Sequence, residues 1–151
     1  MTTTANMAGD PYGMLPPERA EIGDLSRAAR KAVLSPEDAG GWPATWRHAV
    51  AARICTLHGQ AALAAGYLAG AGDNAALADP ENHGDDARMR TVLGFVDHVA
   101  TQPRDIAETD ISGLRDAGVT EADIVRLCEL GAYLAYECRV AAGLSLMKGK
   151  Q

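Results

Sequence analysis

A cysteine and a histidine stand one helical turn apart in the stretch ARICTLHGQAALAAGY, residues 52–67. A thiolate beside an imidazole is a nucleophile, and the same two side chains are half of a zinc site. Cys55 lies one turn before Gly59, where the negative end of a helix opposes a thiolate. We therefore favour a second interpretation, in which Cys55 packs in the core and His58 caps the end of the helix.

The elements that hold these residues are predicted to be helices. The chain has 151 residues, of which 47% are hydrophobic, with a single Phe among them. Such small apolar side chains suit closely packed helices better than a sandwich core. No segment alternates apolar and polar residues as a half-buried strand does. The sequence predicts an all-α fold and, from its length, one domain.

Proline, glycine and small polar residues mark the boundaries along the chain. Residues 1–15 are small, polar and interrupted by Gly and Pro, so we expect a flexible N-terminal arm followed by a single helical domain over residues 16–151. Apolar spacing predicts a first helix over residues 16–34, with Ile22, Leu25, Ala29 and Val33 on its inner face. Further helices are predicted to start at the caps Thr45, Asp86 and Thr120, and over 60–70 and 109–117.

The charge and the hydropathy pattern exclude two classes of partner. The formal net charge of -6 argues against nucleic-acid binding, which needs a basic face. The sequence has no basic segment followed by an apolar run, and no stretch of 18 or more apolar residues. We expect a soluble, cytoplasmic protein that does not bind membranes.

Three cysteines, Cys55, Cys128 and Cys138, include no CxxC pair. Cys128 and Cys138 lie ten residues apart on one predicted helix, about 15 Å along its axis, so they cannot bridge each other. This pattern fits a reducing compartment with buried thiols on the inner side of helices. Zinc needs four ligands and no second pair accompanies Cys55 and His58, so we expect no metal.

Two segments together resemble a known superfamily. TDISGLRDAGVTEADIVRLCELGAYLAYECRVAAGL, residues 109–144, resembles the C-terminal half of carboxymuconolactone decarboxylase-like proteins, above all the peroxidase-related branch beside the AhpD-like alkylhydroperoxidases. WRHAVAARICTLHGQAALAAGY is similar to the signature helix pair of that superfamily, with Arg53 and Gly59 as anchors. The resemblance covers residues 42–146. It implies an all-helical, AhpD-like protomer that assembles as a trimer, dimer or hexamer.

The reacting positions of that superfamily are changed in this chain. In the AhpD-like proteins a cysteine pair follows the glycine, and these positions fall on Gln60 and Leu63. The histidine of the motif, which the decarboxylase branch shares, falls on Tyr67, and the proton-relaying glutamate falls near His48. The chain lacks the CxxC…His motif, so we expect little thiol peroxidase activity.

Other side chains can still move protons. His48 and Cys55 lie seven residues apart on one helix face, and the resemblance directs that face and Tyr67 into the cavity between the signature helices. Histidine titrates near neutral pH and a tyrosine can donate to a developing oxyanion. In the alternative interpretation His48 is a satisfied structural residue and Tyr67 fills space. Glu137 either joins this pocket or makes an intersubunit salt bridge.

Three hypotheses for the function remain open. The first is a cofactor-free acid–base enzyme, of lyase, decarboxylase or isomerase type, that acts on a small organic substrate. The second is a thiol-dependent alkyl hydroperoxidase that uses Cys55, and the third is a non-catalytic oligomer that binds a small molecule or a protein. The candidate catalytic residues are His48, Tyr67, Cys55 and His58. The candidate substrate-binding residues are Gln60, Leu63 and Glu137.

Overall fold

The computed structural model describes residues 7–149, which form six α-helices joined by short connections. The helices are α1 (Ala20–Leu34), α2 (Ala44–Leu57), α3 (Ala61–Leu68), α4 (Ala87–Thr101), α5 (Glu108–Asp116) and α6 (Glu121–Lys148). Short 3-10 segments cover Pro11–Met14, Pro17–Arg19, Gly72–Ala78 and Pro103–Asp105. Between residues 7 and 149 there is no strand, so the all-α prediction is confirmed.

Two of the three predicted helix caps are present. The Asp86 carboxylate accepts a hydrogen bond from the backbone N–H of Met89, 2.7 Å away, at the start of α4. The Thr120 hydroxyl accepts from the N–H of Asp123 at the start of α6, at 3.2 Å. Each cap satisfies one N–H group that the first turn of a helix leaves without an intrahelical acceptor.

The predicted cap at Thr45 is wrong. Helix α2 begins at Ala44, and its flanking residue is Pro43, whose φ of -58° prepares the chain for a helix. Thr45 therefore lies inside the first turn, where its hydroxyl accepts from the side-chain amide of Asn74 at 3.0 Å. As predicted, Gly59 follows the end of α2, and its φ of 71° is the left-handed conformation that glycine adopts at low cost.

Helix α2 passes through the centre of the fold. It contacts α1, α3, α4 and α6, and nine of its residues are buried: Trp46, Arg47, Ala49, Val50, Ala51, Ala52, Arg53, Ile54 and Cys55. Because most of these side chains are small, the neighbouring helices can approach its backbone closely. Trp42 and Trp46 stack with ring centroids 4.3 Å apart and cover the N-terminal end of α2.

Arg53 fastens the long connection between α3 and α4 to this central helix. Its buried guanidinium donates to the backbone carbonyls of four residues, Leu77, Asp79, Pro80 and Asn82, at 2.7–3.1 Å. It also makes two hydrogen bonds of 2.6 Å to the Asp97 carboxylate on α4. One side chain thus orders a segment that carries little hydrophobic surface of its own.

Residues 7–15 pack against the helices, although the sequence predicts a flexible arm over residues 1–15. Two glycines permit the close approach: a side chain on Gly9 would collide with the backbone of Ala62, and one on Gly66 would collide with the backbone of Ala8. Tyr12 is buried. Residues 1–6 lie outside the described residues, and the domain boundary at residue 15 stays a prediction.

The predicted inner face of α1 is wrong at three of its four residues: Val33 packs partly buried against the core, but Ala29 is exposed. Ile22 and Leu25 are 41% and 64% exposed, whereas Ser26 is buried and Arg30 points inward. The inner face is polar because α6 presents a buried carboxylate to it, which requires a cation opposite. Within residues 7–149, no helix combines the length and the apolar character that a membrane span needs.

Candidate functional site

The site is built around Glu137, whose side chain is 0% exposed in the middle of α6. Its Oε1 accepts from Nε of Arg30 at 2.9 Å and from the Tyr133 hydroxyl at 3.0 Å. Its Oε2 accepts from the Tyr67 hydroxyl. A second N–H of Arg30 also donates to Oε1. A carboxylate can be buried in this way because a cation and two hydroxyl donors replace its water shell.

The N-terminal segment and α1 complete the polar cluster. The Asp10 carboxylate accepts from Arg30 and from Arg27, in both cases at 2.8 Å. The hydroxyls of Tyr12 and Tyr133 are 2.9 Å apart. Arg30 therefore lies between two carboxylates, those of Asp10 and Glu137, and its guanidinium also lies over the rings of Tyr12 and Tyr67, 5.3 and 5.9 Å from their centroids. We call Asp10, Tyr12, Arg30, Tyr67, Tyr133 and Glu137 the Glu137 cluster.

Burial and the Glu137 charge fix the protonation of the cluster. The pKa values of Tyr67 and Tyr133 are raised, first by burial and then by the negative charge of Glu137. For Arg30, burial alone lowers the pKa, but the neighbouring Glu137 carboxylate outweighs it and raises the pKa above its ordinary value. At neutral pH the tyrosines are therefore protonated donors and Arg30 is charged.

A cavity of about 270 Å³ opens beside the cluster. Two residues predicted to share a pocket, His48 on α2 and Tyr67 on α3, both line it. Their rings meet edge to face, with centroids 6.2 Å apart and an interplanar angle of 62°. The other lining residues come from the N-terminal segment and from α1 and the residue after it: Met7, Arg27, Arg30, Lys31, Leu34 and Ser35.

His48 has a defined tautomer. Its Nδ1 lies 2.7 Å from the carbonyl oxygen of Ala44, and because a carbonyl only accepts, Nδ1 carries the proton in the neutral ring. Nε2 then keeps its lone pair and is the basic atom. Gly70 lies against the ring: a methyl group there would be 2.6 Å from Cδ2 and 3.1 Å from Nε2. Because Gly70 has no side chain, the His48 ring has room in this position.

Cys55 lies in the core, as the favoured interpretation predicts, and is 0% exposed. Its Sγ is 3.7 Å from Sγ of Cys138 on α6. The hydrogen bond that the Cys55 thiol shares with Cys138, for which Cys55 keeps its proton, and burial both raise the pKa of Cys55. Cys128 is exposed, which corrects the prediction that it lies on the inner side of α6, because it lies about 100° around the helix from buried Leu127.

His58 is the last-turn cap of α2, and it lies apart from the cavity. Its Nε2 is buried and makes no hydrogen bond to any described residue. Burial lowers the pKa of His58, and the positive charge of Arg139 lowers it further. Within residues 7–149, no three His, Cys, Asp or Glu side chains lie close enough together to hold a metal ion.

The two residues predicted to replace the cysteine pair do not share the cavity. Gln60 precedes α3 and its side chain makes no capping hydrogen bond. Leu63 is buried in the core. Neither belongs to the described residues that line the cavity beside His48. Their role in substrate binding stays a prediction.

Arg30, Asp10, Tyr12 and Tyr133 are the members of the cluster that sequence reasoning missed. One signal was present: Tyr133 and Glu137 are four residues apart, so they share a face of α6. The sequence contains no such signal for Arg30, the partner of Glu137 on α1, because the two residues are 107 positions apart in the chain.

Comparison with known proteins supports the fold alone. No protein-family model and no curated protein sequence matches the chain. The structure is similar to the crystal structure of an uncharacterized peroxidase-related protein from Silicibacter sp. TM1040, with a TM-score of 0.74 and 17% sequence identity. The match covers 96% of this chain and 93% of that one. The likeness is consistent with an AhpD-like helical fold.

Proposed function

We propose that this chain is a cofactor-free acid–base enzyme, of lyase, decarboxylase or isomerase type, whose substrate binds in the cavity between His48 and Tyr67. The observation that carries the proposal is the pairing of two residues at one cavity: a histidine whose Nε2 makes no hydrogen bond to any described residue, and a tyrosine whose hydroxyl is fixed by a buried carboxylate. An imidazole can take a proton from a substrate at neutral pH without any cofactor.

The lining of the cavity favours a substrate with an anionic group. Three cationic side chains line it, Arg27, Arg30 and Lys31, and none of its described lining residues is a carboxylate. Asp10 and Glu137 already pair with Arg27 and Arg30, but Lys31 makes no ion pair with any described residue. A substrate carboxylate beside Lys31 would lie in the same cavity as the imidazole of His48. We therefore propose small carboxylates with a carbonyl or enol group as the substrate class.

Tyr67 acts differently from a simple oxyanion donor. Its single O–H proton points to Glu137, so its oxygen can accept a hydrogen bond from a substrate hydroxyl but donates to a substrate only if Glu137 gives it up. Arg30, which keeps N–H groups at the cavity, is the donor for a developing enolate oxygen. In this mechanism His48 takes the proton, Arg30 stabilises the negative charge, and Tyr67 orients the substrate.

The other two hypotheses have less support. A peroxidase that uses Cys55 is disfavoured because that thiol is 0% exposed and its pKa is raised. The peroxidase-related description of the structural neighbour applies to that protein. The hypothesis of a non-catalytic binding protein does not explain why His48, whose Nε2 makes no hydrogen bond to any described residue, lies at the cavity. The homo-oligomer and the cytoplasmic location remain proposals.

Solvent-deuterium incorporation tests the proposal without knowledge of the natural substrate. The wild-type protein is incubated in D₂O at about pH 7.5 with a panel of 2-oxo acids, 3-oxo acids and unsaturated lactone acids, and C–H signals are followed by proton NMR. We expect at least one compound to lose a C–H signal faster than in protein-free buffer. Exchange at the buffer rate throughout the panel, in the presence of stoichiometric protein, would contradict the proposal.

A further inference from the structure

A carboxylate from the N-terminal segment, residues 7–15, is bound to two of the cations at the cavity. One oxygen of Asp10 accepts two hydrogen bonds from Arg27, at 3.2 and 2.8 Å, and the other accepts from Arg30 at 2.8 Å. The Asp10 side chain is 1% exposed, whereas those of Arg27 and Arg30 are 22% and 12% exposed and both line the cavity. The two arginines are therefore open to a ligand in the cavity, although Asp10 is covered.

Side chains, and not backbone hydrogen bonds, attach this segment to the helices. Among the described residues, the backbone hydrogen bonds of residues 7–15 all run within the segment. Its polar attachments are the ion pairs of Asp10 and the contact between the hydroxyls of Tyr12 and Tyr133, 2.9 Å apart. An anion that takes the two arginines would remove the charge-assisted part of this attachment.

We infer that Arg27 and Arg30 form a carboxylate-binding site that Asp10 occupies from within the chain, and that the carboxylate of a small ligand displaces Asp10. Guanidinium groups recognise carboxylates through paired hydrogen bonds, and two of them on one carboxylate form a strong site. The inference rests on the proposed function, because that function supplies the anionic substrate. It adds a regulation of the same site, in which the N-terminal segment is autoinhibitory.

Release of Asp10 would also open the cavity. Met7 lines the cavity, and the backbone N–H of Asp10 donates to its carbonyl oxygen at 3.0 Å, so the two residues belong to one turn. The segment passes close to α3 beside Tyr67, since a methyl group on Gly66 would collide with the carbonyl oxygen of Ala8. Displacement of the segment would therefore remove one wall of the cavity next to Tyr67.

The exchange of one carboxylate for another keeps the charges balanced. Arg27 and Arg30 face two carboxylates, those of Asp10 and Glu137, and a ligand carboxylate would replace the first of them. No buried charge is then left without a partner, which is the costly outcome when an ion pair is broken. Lys31, which makes no ion pair with any described residue, attracts the incoming anion to the same cavity.

Calorimetric titration with malonate, a small dicarboxylate, tests the inference in the full-length protein at constant ionic strength. The apparent Kd of an occupied site is the intrinsic Kd divided by the fraction of molecules in which the site is free. Asp10→Asn removes the competing charge, so we expect it to bind malonate about tenfold more tightly than the wild type. Equal affinity in the two proteins would overturn the inference.

Asp24→Asn is the matched control for this titration. Asp24 also pairs with Arg27, at 3.4 Å, but its side chain is 79% exposed. Its removal changes the charge near the same arginine without freeing an occupied site, so the affinity for malonate should stay within about twofold of the wild type. A gain as large as that of Asp10→Asn would overturn the inference, because the effect would then be one of net charge.

Proteolysis of the wild type tests the displacement itself. Chymotrypsin can cleave after Tyr12, which is 3% exposed, only when this residue leaves its place. We expect malonate to speed the loss of residues 1–12, followed by intact mass, about fivefold or more. The reference is malonamide, its uncharged counterpart, in sodium chloride of equal ionic strength, and a short tyrosine peptide reports any effect of malonate on the protease.

Malonate that binds without faster cleavage would overturn the inference, because the ligand would then bind with the segment in place. That result leaves the proposed function standing, since it does not concern proton transfer. Faster cleavage with malonate, in a protein that exchanges no compound of the deuterium panel, would support the carboxylate site and contradict the proposed function alone.

Discussion

Glu137 shows how a single buried charge orders its surroundings. A carboxylate removed from water needs donors on both oxygens, and Arg30, Tyr67 and Tyr133 provide them. These donors come from three helices, so the carboxylate also fixes how α1, α3 and α6 lie against one another. His48 lies next to this cluster, where its ring contacts the ring of Tyr67 edge to face. At the scale of the residue, the candidate site combines the preorganised Glu137 cluster with one histidine, His48, beside it.

His58 gives a prediction on the pH dependence of stability. In the unfolded chain a histidine titrates near pH 6.5, whereas burial and Arg139 lower the pKa of His58 in the folded protein. Below about pH 6.5 the unfolded state therefore binds a proton that the folded state does not. The stability that His58 contributes is complete above that pH and is lost as the pH falls through 6.5 towards the lowered pKa.

Melting temperatures measured at about pH 7.5 and about pH 5.5 test this sign. We expect His58→Gln to lose about 2 °C less than the wild type over that interval, since the partly exposed ring keeps some of its hydration. The matched control is His83→Gln, which changes an exposed histidine in a connection. A steeper loss in His58→Gln than in the wild type would show that the sign is wrong.

The sequence indicated three residues that the structure places at or beside one cavity, but not their partners, and the catalytic and binding roles of the three stay predictions. His48, Tyr67 and Glu137 could be named, because their residue types suit proton transfer and the resemblance indicated a cavity. Arg30 and Asp10 could not, since the pairing of α1 with α6 joins residues 107 positions apart. The apolar spacing of α1 even indicated a different face, because periodicity shows that a face will be covered but not what covers it.

At the scale of the element, α1 lies with its polar side inward. Helix propensity and capping predicted most of the six helices, because these are local properties that the sequence contains in full. The orientation of α1 is decided instead by a tertiary contact, the ion pair between Arg30 and Glu137. The long connection between α3 and α4 is also ordered by a tertiary contact. Its composition predicted a loop, but the hydrogen bonds from Arg53 that order it could be seen only in the structure.

Arg53→Lys should loosen that connection. A lysine has one nitrogen in place of the planar fork, so it cannot reach four carbonyls and both Asp97 oxygens together. We expect a loss of about 3 kcal/mol in the free energy of unfolding, and so a fall of about 6–12 °C in melting temperature.

Limited proteolysis with a glutamate-specific protease checks where the change occurs. Cleavage after Glu81, inside the fastened connection, should be faster in Arg53→Lys than in the wild type. Arg115→Lys is the matched control, because the Arg115 side chain is exposed and its one ion pair among the described residues is with exposed Glu121. Equal melting temperatures for Arg53→Lys and Arg115→Lys would refute the role given to Arg53.

At the scale of the whole molecule, the outer face of α1 is suited to contact a second copy. Ile22 and Leu25 are exposed there. Two such helices packed around a two-fold axis would cover the apolar pair of each copy. We therefore propose α1 as the subunit contact of the expected homo-oligomer.

Leu25→Glu tests this contact, because it places a charge in the centre of the apolar face. Size-exclusion chromatography with light scattering should show an oligomer for the wild type and a smaller species for the variant. Val125→Glu, an exposed apolar position on α6, is the control and should keep the mass of the wild type. A wild-type monomer, or an unchanged mass for Leu25→Glu, would contradict the proposed interface.

The central claim is that His48 transfers a proton in the cavity, and two variants separate this role from a structural one. His48→Ala removes the base, whereas Gly70→Ala keeps it but pushes the ring out of place, since the added methyl group would overlap Cδ2. Gly70 is not one of the glycines with positive φ, so alanine is compatible with its backbone. The His48 side chain is partly exposed and makes one hydrogen bond, to Ala44, so its removal should change the melting temperature little.

The most direct measurement is the rate of solvent-deuterium incorporation into the panel compound that the wild type exchanges fastest, determined for wild type and His48→Ala at equal protein concentration. General acid–base catalysis contributes about 10²–10⁴-fold, so the account predicts a loss of that size in His48→Ala, and a loss of about tenfold or more in Gly70→Ala. Both variants should melt within a few degrees of the wild type. An unchanged exchange rate in His48→Ala, beside a melting temperature lowered by several degrees, would show that His48 is structural and would contradict the account.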